Sequence, residues 1–178
     1  MLDDLLGLQR GFDLPLKNRN PGSVPVIAAT GQHGTHEVAR APGPGVVTGR
    51  SGSLGTVMYV SEDFWPLNTT LWVKDFRRAT PELATYVLRG LGLAQFNSGA
   101  AVPTLNRNDV AGQPVAVPPT ELVEQFSALA RQLLTLIVIL QQSSGALRMG
   151  RDLLLPHLVS GHIDVSFLDL DAVVESVA

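Results

Sequence analysis

One arginine surrounded by glycines is the most informative chemical group in this sequence. Arg50 lies in the segment TGRSGSLG, between Gly49 and Gly52. Glycine lets a backbone approach another surface closely, and the planar guanidinium suits a phosphate or the O6 and N7 atoms of guanine. The alternative is a structural arginine in a turn or β-bulge that pairs with an internal carboxylate such as Asp63 or Asp75. The segment is not a Walker phosphate loop, because it has one spacer residue too few and arginine where lysine is required.

Two further polar segments carry side chains suited to the same kind of ligand. In the predicted loop Thr30–His36, Gln32 has an amide that can pair with adenine, and His33 and Thr35 can add hydrogen bonds. The alternative for this segment is a solvated loop. Lys17–Asn20 is basic and rich in amides, so it suits contacts with phosphates, which fix the position of a protein on a duplex without recognising its sequence. The alternative for this segment is ordinary surface charge.

Motifs for catalysis and metal binding are absent from the sequence. His33 and His36 form an H-x-x-H pair with no third ligand nearby. There is no G-x-S-x-G, no H-E-x-x-H and no glycine-rich cofactor loop after a strand. Cysteine is absent as well, which excludes disulfides and fits a reducing compartment. We therefore predict no catalytic residue, no metal site and no cofactor on this chain. A self-contained hydrolase or methyltransferase is the disfavoured alternative.

Charge is distributed unevenly along the 178 residues, whose formal net charge is −3. Between Leu14 and Asn108 nine basic residues outnumber five acidic ones, whereas from Asp109 onward three basic residues stand against eight acidic ones. The first part is therefore suited to face phosphate. Met1–Arg10 lacks the basic region of a signal peptide, and the longest apolar run, Leu133–Leu140, is too short to span a bilayer. We predict a soluble, cytoplasmic chain with no membrane segment.

The first part of the chain has the pattern of a mixed α/β module. The predicted strands are Val24–Ala29, Val46–Thr48, Thr56–Val60 and Leu71–Val73. Thr80 as N-cap and Pro81 at the first helical position predict a helix from Pro81 to Leu91. Phe64, Trp65 and Trp72 are predicted to be core rather than platforms for stacked bases.

A leucine heptad pattern begins after Pro119 and predicts one long helix. Thr120 is the predicted N-cap, and Pro156 and Gly161 end a helix predicted to run from Thr120 to Leu155. The apolar positions repeat at spacings of four and three, typical of a coiled coil, and are predicted to be core against a partner. A hairpin that folds back at Ser143–Gly145 is the alternative. The leucine seam consists of Leu122, Phe126, Leu129, Leu133, Leu136, Leu140, Leu147 and Leu154.

Six segments, in order along the chain, resemble the specificity subunit of type I restriction–modification systems. They are RGFDLPLKNRNPGSVPVIAATG (Arg10–Gly31), GPGVVTGRSGSLGTVMYV (Gly43–Val60), FWPLNTTLWVKDF (Phe64–Phe76), FNSGAAVPTLNRNDV (Phe96–Val110), PPTELVEQF (Pro118–Phe126) and LRMGRDLLLPHLVSGHIDV (Leu147–Val165). The resemblance implies an α+β fold: one mixed α/β target-recognition domain followed by a long coiled-coil-forming helix. It implies a DNA target-recognition domain at 1–117, a conserved helical spacer at 118–160 and an acidic tail at 161–178.

The resemblance also implies the partners. Such a subunit recognises one half of a bipartite target in double-stranded DNA and docks methyltransferase subunits, which carry S-adenosylmethionine, while a motor-nuclease subunit joins the full complex. Family members carry two recognition domains and two helical regions, and this chain has one of each, most similar to the second half. Two alternatives follow: a half-subunit that pairs with a copy of itself or with another half-subunit, or a fragment of a full-length subunit. The alternative is a coiled-coil assembly or inhibitory half-subunit that no longer binds DNA.

The residue types and the resemblance together give one set of expected DNA contacts. They are Lys17, Asn18, Arg19, Gln32, His33, Thr35, Arg50, Ser51, Ser53, Lys74, Arg77 and Arg107. The leucine seam is the expected interface for self-association and for docking of the methyltransferase.

Overall fold

The computed structural model describes residues 1–99, 101–163 and 166, and the chain divides into two units between Thr135 and Leu136. The predicted acidic tail at 161–178 lies almost wholly outside the described residues. The helices are α1 (Leu2–Leu5), α2 (Pro81–Gly90), α3 (Arg107–Ala111) and α4 (Thr120–Val159), with 3₁₀ turns at Leu16–Asn18 and Leu93–Phe96. The strands are β1 (Gly7–Arg10), β2 (Val24–Ala28), β3 (Gly31–His36), β4 (Gly45–Gly49), β5 (Val57–Val60), β6 (Trp65–Pro66) and β7 (Thr70–Asp75).

Two small sheets form the β part of the first unit. One has the order β1-β7-β4-β5 and is antiparallel; the other has the order β3-β2-β6, with β2 and β6 parallel. The four predicted strands are confirmed as β2, β4, β5 and β7, each within one or two residues at its ends. The expectation of a loop at Thr30–His36 is wrong, because residues from Gly31 onward form β3 and pair with β2.

Aromatic and β-branched side chains fill the space between the sheets. Phe64, Trp65 and Trp72 are all buried, so the prediction that they belong to the core is confirmed. Phe64 and Trp72 meet edge to face with ring centroids 6.3 Å apart, a favourable arrangement for aromatic pairs. Helix α2 covers the other side of the larger sheet. It begins as predicted, since Thr80 Oγ1 accepts a hydrogen bond from the backbone N–H of Leu83.

Helix α4 is continuous over 40 residues, so the predicted long helix is confirmed and the alternative hairpin is not formed. Two details of the prediction are wrong. Thr120 is the first helical residue and not the cap, because the carbonyl of Pro119 already accepts hydrogen bonds from the N–H groups of Leu122 and Val123. The helix also continues past Pro156 to Val159, because the proline lacks only its own N–H bond to the preceding turn, while its carbonyl still accepts from the N–H of Ser160 at 3.0 Å.

The leucine seam, which is predicted to be core against a partner, is exposed in the single chain. Its eight side chains are between 38% and 76% exposed. The stripe of α4 that packs against the first unit lies one residue further along, about 100° around the helix. This buried stripe consists of Val123, Ser127, Ala130 and Leu134.

By length and hydropathy, α4 could also cross a membrane, contrary to the exclusion based on its longest unbroken apolar run. It contains an 18-residue stretch with a mean hydropathy of 1.5, and it is the one helix within the described ranges that passes this test. One such helix is weak evidence for a membrane span, and the buried stripe of α4 packs on protein.

Candidate nucleic-acid interface

Arg50 follows the end of β4, and both its backbone N–H and its backbone carbonyl are hydrogen-bonded. Its N–H donates to the carbonyl of Thr69 at 2.8 Å, and its carbonyl accepts from the N–H of Leu105 at 2.8 Å. Arg50 as a whole is half-buried, and no carboxylate in the described part of the chain lies within ion-pair distance of its guanidinium. The predicted alternative partners are used elsewhere: Asp63 accepts from the N–H of Gly43, and Asp75 pairs with an arginine two residues away. The backbone of Arg50 is therefore fixed while its charge is available to a ligand.

Glycines shape the loop that presents Arg50. A Cβ at Gly49 would overlap the carbonyl oxygen of Ser53, so only glycine allows the loop to fold back on β4 at this point. Gly52 has φ +85°, a conformation that other residues rarely adopt, and a Cβ there would meet nothing within 4 Å. Ser51 and Ser53 are partly exposed on either side of Gly52. The loop is thus tightly folded with an open outer surface.

The hairpin of β2 and β3 meets the Arg50 loop at one residue, Thr69. The hydroxyl of Thr69 accepts a hydrogen bond from the N–H of Ala29 in the hairpin turn at 3.4 Å. The carbonyl of the same residue accepts from the N–H groups of Arg50 and Ser51. The structure therefore brings two of the predicted contact segments, which are about 20 positions apart in sequence, to one side of the first unit.

Strand β3 is an edge strand whose side chains are almost entirely polar. Gln32, His33 and Thr35 are exposed, and the side chains of Gln32 and Thr35 form no hydrogen bond within the described residues. Gly31 and Gly34 have positive φ, and a Cβ at Gly31 would meet nothing within 4 Å. This edge has free donors and acceptors next to bare backbone, which suits close approach by another molecule.

The segment Lys17–Asn20 lies beside β3, and its members differ in role. Nη1 of Arg19 donates to the carbonyl of His33 at 2.5 Å, and its Nε donates to the carbonyl of Leu14 at 3.4 Å. Lys17 and Asn18 are exposed, and their side chains have no hydrogen-bond partner among the described residues. Arg19 is therefore already bound to the protein, while its two neighbours are available for contacts outside it.

A second basic cluster surrounds a cavity of about 520 Å³ beside β1 and β7. Lys74, Arg77 and Arg107, three of the predicted DNA contacts, line the cavity although they come from different elements. Arg77 forms ion pairs with Asp3 at 3.0 Å and Asp75 at 3.2 Å, and the hydrogen bonds to these carboxylates raise its pKa. Lys74 and Arg107 are exposed and have no ion-pair partner within the described residues. They supply the uncompensated positive charge of this cluster.

Sequence reasoning missed the polar contact that docks α4 on α2. Glu82, in the first turn of α2, is 0% exposed and accepts a hydrogen bond from Nε of Arg131 on α4 at 2.8 Å. Burial opposes its ionisation, but the hydrogen bond from Arg131 and the nearby charge outweigh burial, so the pKa of Glu82 is lowered. Burial, together with the charge of this carboxylate, raises the pKa of Tyr59. A first-turn Glu gives no signal of a partner 49 residues later, so only the fold could show this pair.

Two further side-chain contacts join α2 and its N-cap to the start of α4. The hydroxyls of Thr80 and Ser127 are hydrogen-bonded at 2.6 Å, and the rings of Tyr86 and Phe126 meet edge to face 5.6 Å apart. Phe126 is thus the one member of the leucine seam with an aromatic contact in the described part of the chain. One face of the first turns of α4 is therefore packed within the first unit.

Comparison with known proteins supports the fold assignment. No protein-family model and no curated protein matches the sequence. Among solved structures, the S subunit of a type I restriction-modification system from M. genitalium superposes with a TM-score of 0.67 at 16% identity, covering 85% of this chain and 41% of that one. A chain from a structure of the assembly and conformational transition of the type I R-M system superposes with a TM-score of 0.58 at 12% identity, covering 86% and 42%.

These matches define the class of fold: an α+β domain followed by a long helix, as in S subunits of type I systems. The fold class and the family resemblance predicted from the sequence are confirmed at the level of the fold. The chain spans less than half the length of either structure.

Proposed function

We propose that this chain is the DNA-binding specificity subunit, or half-subunit, of a type I restriction–modification complex, and that it recognises one half of a bipartite target. The match to the S-subunit fold over about 85% of the chain carries this proposal. The charge distribution supports it, because uncompensated cations lie on the first unit while the sequence from Asp109 onward is acidic. The chain itself would be non-catalytic.

Two kinds of DNA contact follow from the chemistry of the exposed groups. Arg50 and Gln32 have the planar donor and amide groups that pair with guanine and adenine edges, and His33 and Thr35 add hydrogen bonds on the same strand. Phosphate contacts fall to exposed cations and small polar groups, which fix register and carry no sequence information. This second set consists of Lys17, Asn18, Ser51, Ser53, Lys74 and Arg107.

Helix α4 is the proposed site of assembly. Exposed apolar side chains repeat along it at coiled-coil spacing, and a seam of this kind is stable in water only when another helix covers it. We propose that the seam pairs with a second copy of the chain or with another half-subunit, and that the same helix docks the methyltransferase subunit. That subunit would bind S-adenosylmethionine, and the motor-nuclease subunit would join it in the full complex. The fold favours a soluble protein, and we propose that it acts in the cytoplasm.

The exposed leucine seam also favours a second candidate. A coiled-coil assembly or inhibitory half-subunit that no longer binds DNA would need the seam and would have no use for Arg50. Under this alternative, replacing Arg50 or Lys17 leaves every activity of the chain unchanged.

Substitution of Arg50 separates the two candidates. Duplexes bound by the purified chain would be selected from a random library, and affinity for the selected duplex compared between wild type and Arg50→Ala. Recognition of a base predicts a loss of about 1–3 kcal/mol for the selected duplex, whereas a phosphate contact predicts an even loss across sequences and a smaller salt dependence. Arg148→Ala, an exposed arginine on α4, is the matched control and should leave binding unchanged. Unchanged binding by Arg50→Ala would refute both roles.

Light scattering tests the assembly part of the proposal. The purified chain would be measured alone and after mixing with a type I methyltransferase subunit from the same genome. A two-fold dimer that captures the methyltransferase would support a working half-subunit with a palindromic bipartite target. A monomer that captures none would contradict the assembly proposal.

A further inference from the structure

Arg19 differs from its neighbours because its side chain lies along β3 and binds the middle of that strand. Nη1 donates to the carbonyl of His33 at 2.5 Å and lies 3.3 Å from Nδ1 of the same residue. A Cβ added at Gly34 would stand 3.5 Å from Nη1, so the guanidinium also lies against the glycine that follows. With Nε directed at the carbonyl of Leu14, this side chain connects the segment before β2 to the outer strand of the sheet.

The end of β3 is held by the next residue, Asn20. Its backbone N–H donates to Nδ1 of His36 at 3.1 Å, and its side-chain amide donates to Glu37 at 2.6 Å. His36 is buried and meets Trp65 edge to face, with ring centroids 5.2 Å apart. The last residue of β3 is therefore attached to the core, whereas Arg19 supports the middle of the strand.

An edge strand needs such support if its side chains are to recognise bases. β3 pairs with β2 on one side only, and its two positive-φ glycines, Gly31 and Gly34, leave its backbone with little intrinsic stiffness. A two-stranded β-ribbon fits the major groove of B-DNA, and discrimination between bases requires donors and acceptors held in fixed positions. Gln32 and Thr35 flank the residue that Arg19 holds.

We propose that Arg19 is a positioning residue that holds β3 for base recognition and makes no phosphate contact of its own. The inference rests on the proposed DNA-binding function and deepens it by naming β3 as the base-recognising strand. It assigns different roles to two cations that are two residues apart: Lys17, which is free, contacts phosphate, and Arg19, which is bound to the protein, supports specificity.

The test compares Arg19→Met with Lys17→Met, using a duplex selected from a random library by the wild-type chain and a scrambled duplex of the same length. Both variants keep the stem of the side chain and remove one charge. Arg19→Met should lose the preference for the selected duplex about tenfold or more while keeping the wild-type salt dependence. Lys17→Met should weaken both duplexes equally and reduce the salt slope by about 0.9, as expected when one phosphate contact is lost.

Hydrogen exchange gives a readout without DNA. Arg19→Met should speed exchange in a peptide containing residues 31–36, and Arg19→Lys, which keeps a cationic donor group, should restore part of both the protection and the preference. An equal loss on both duplexes with a reduced salt slope would overturn the inference, because Arg19 would then be a phosphate contact. Unchanged preference in Arg19→Met would overturn it too. Failure of the wild-type chain to select any duplex would instead refute the proposed function, and the inference with it.

Discussion

Two adjacent leucines on α4 give the sharpest test of which face of this helix packs on the first unit. Leu134 is 2% exposed and belongs to the buried stripe, whereas Leu133 is 48% exposed and belongs to the leucine seam. Truncation of a buried leucine to alanine costs about 2–5 kcal/mol, because the burial is lost and a cavity remains. Half-burial of a leucine is worth about 1 kcal/mol. We therefore expect Leu134→Ala to destabilise the chain by about 2 kcal/mol more than Leu133→Ala.

The two substitutions match in every other respect. Both replace leucine by alanine at neighbouring positions of one helix, and alanine has a helix propensity as good as that of leucine, so neither should weaken α4 itself. The free energy of unfolding would be measured by urea denaturation monitored by circular dichroism. A dilute sample isolates the single chain, and a concentrated one adds the contribution of self-association.

Protein concentration separates the two faces. If a second chain covers the seam, the loss in free energy of unfolding caused by Leu133→Ala should grow with protein concentration. The loss caused by Leu134→Ala should be large at every concentration. Equal costs for the two variants in dilute solution, or a larger cost for Leu133→Ala, would refute the assignment of the buried stripe.

Two further predictions concern the same helix. The lowered pKa of Glu82 means that its ionised form adds stability above the ordinary carboxyl pKa, and that this stability is lost as pH falls through the lowered value. Arg131→Met should therefore flatten the dependence of the free energy of unfolding on pH below about pH 5. Arg151→Met, which breaks an exposed ion pair on α4, should not change it. Identical pH profiles for both variants would contradict this role of Glu82. Replacing Leu133 and Leu140 together by lysine should abolish self-association and methyltransferase docking in light scattering. Loss of the folded first unit in circular dichroism would show instead that the seam belongs to its core.

The elements that sequence could predict are those specified by local chemistry. The helix start at Thr80 and Pro81 depends on neighbours within three residues, and the strand around Met58 depends on β-branched and aromatic residues in a row. β3 was missed because GQHGTH has neither alternation nor β-branched enrichment; it is a strand because β2 provides hydrogen-bond partners. Its extended conformation is set by tertiary pairing and not by propensity.

The two faces of α4 show why the hydrophobic pattern alone does not predict which face packs within the first unit. Leucines at heptad spacing predict a seam for a partner, whereas the stripe that packs within the first unit contains Ser127 and Ala130, small side chains that allow close approach and give no strong hydrophobic signal. Among the candidate contacts, Arg50, Lys17 and Arg19 carry the same positive charge, and the sequence does not distinguish their roles. Only the structure distinguishes Arg19, whose partner at His33 is 14 residues away.

The packing of α4 also determines where a chimera with another chain of the same fold could be joined. The predicted division falls at residue 117, but Val123, Ala130 and Leu134 are buried in the first unit, which extends to Thr135. A chimera joined at 117 would place a foreign helix against α2 and would leave the buried carboxylate of Glu82 next to whatever residue the donor supplies at position 131. A junction after Thr135 would transfer the whole first unit and keep the contacts between α2 and the start of α4. The segment to be exchanged as a whole is thus the first unit, which includes the first four turns of α4.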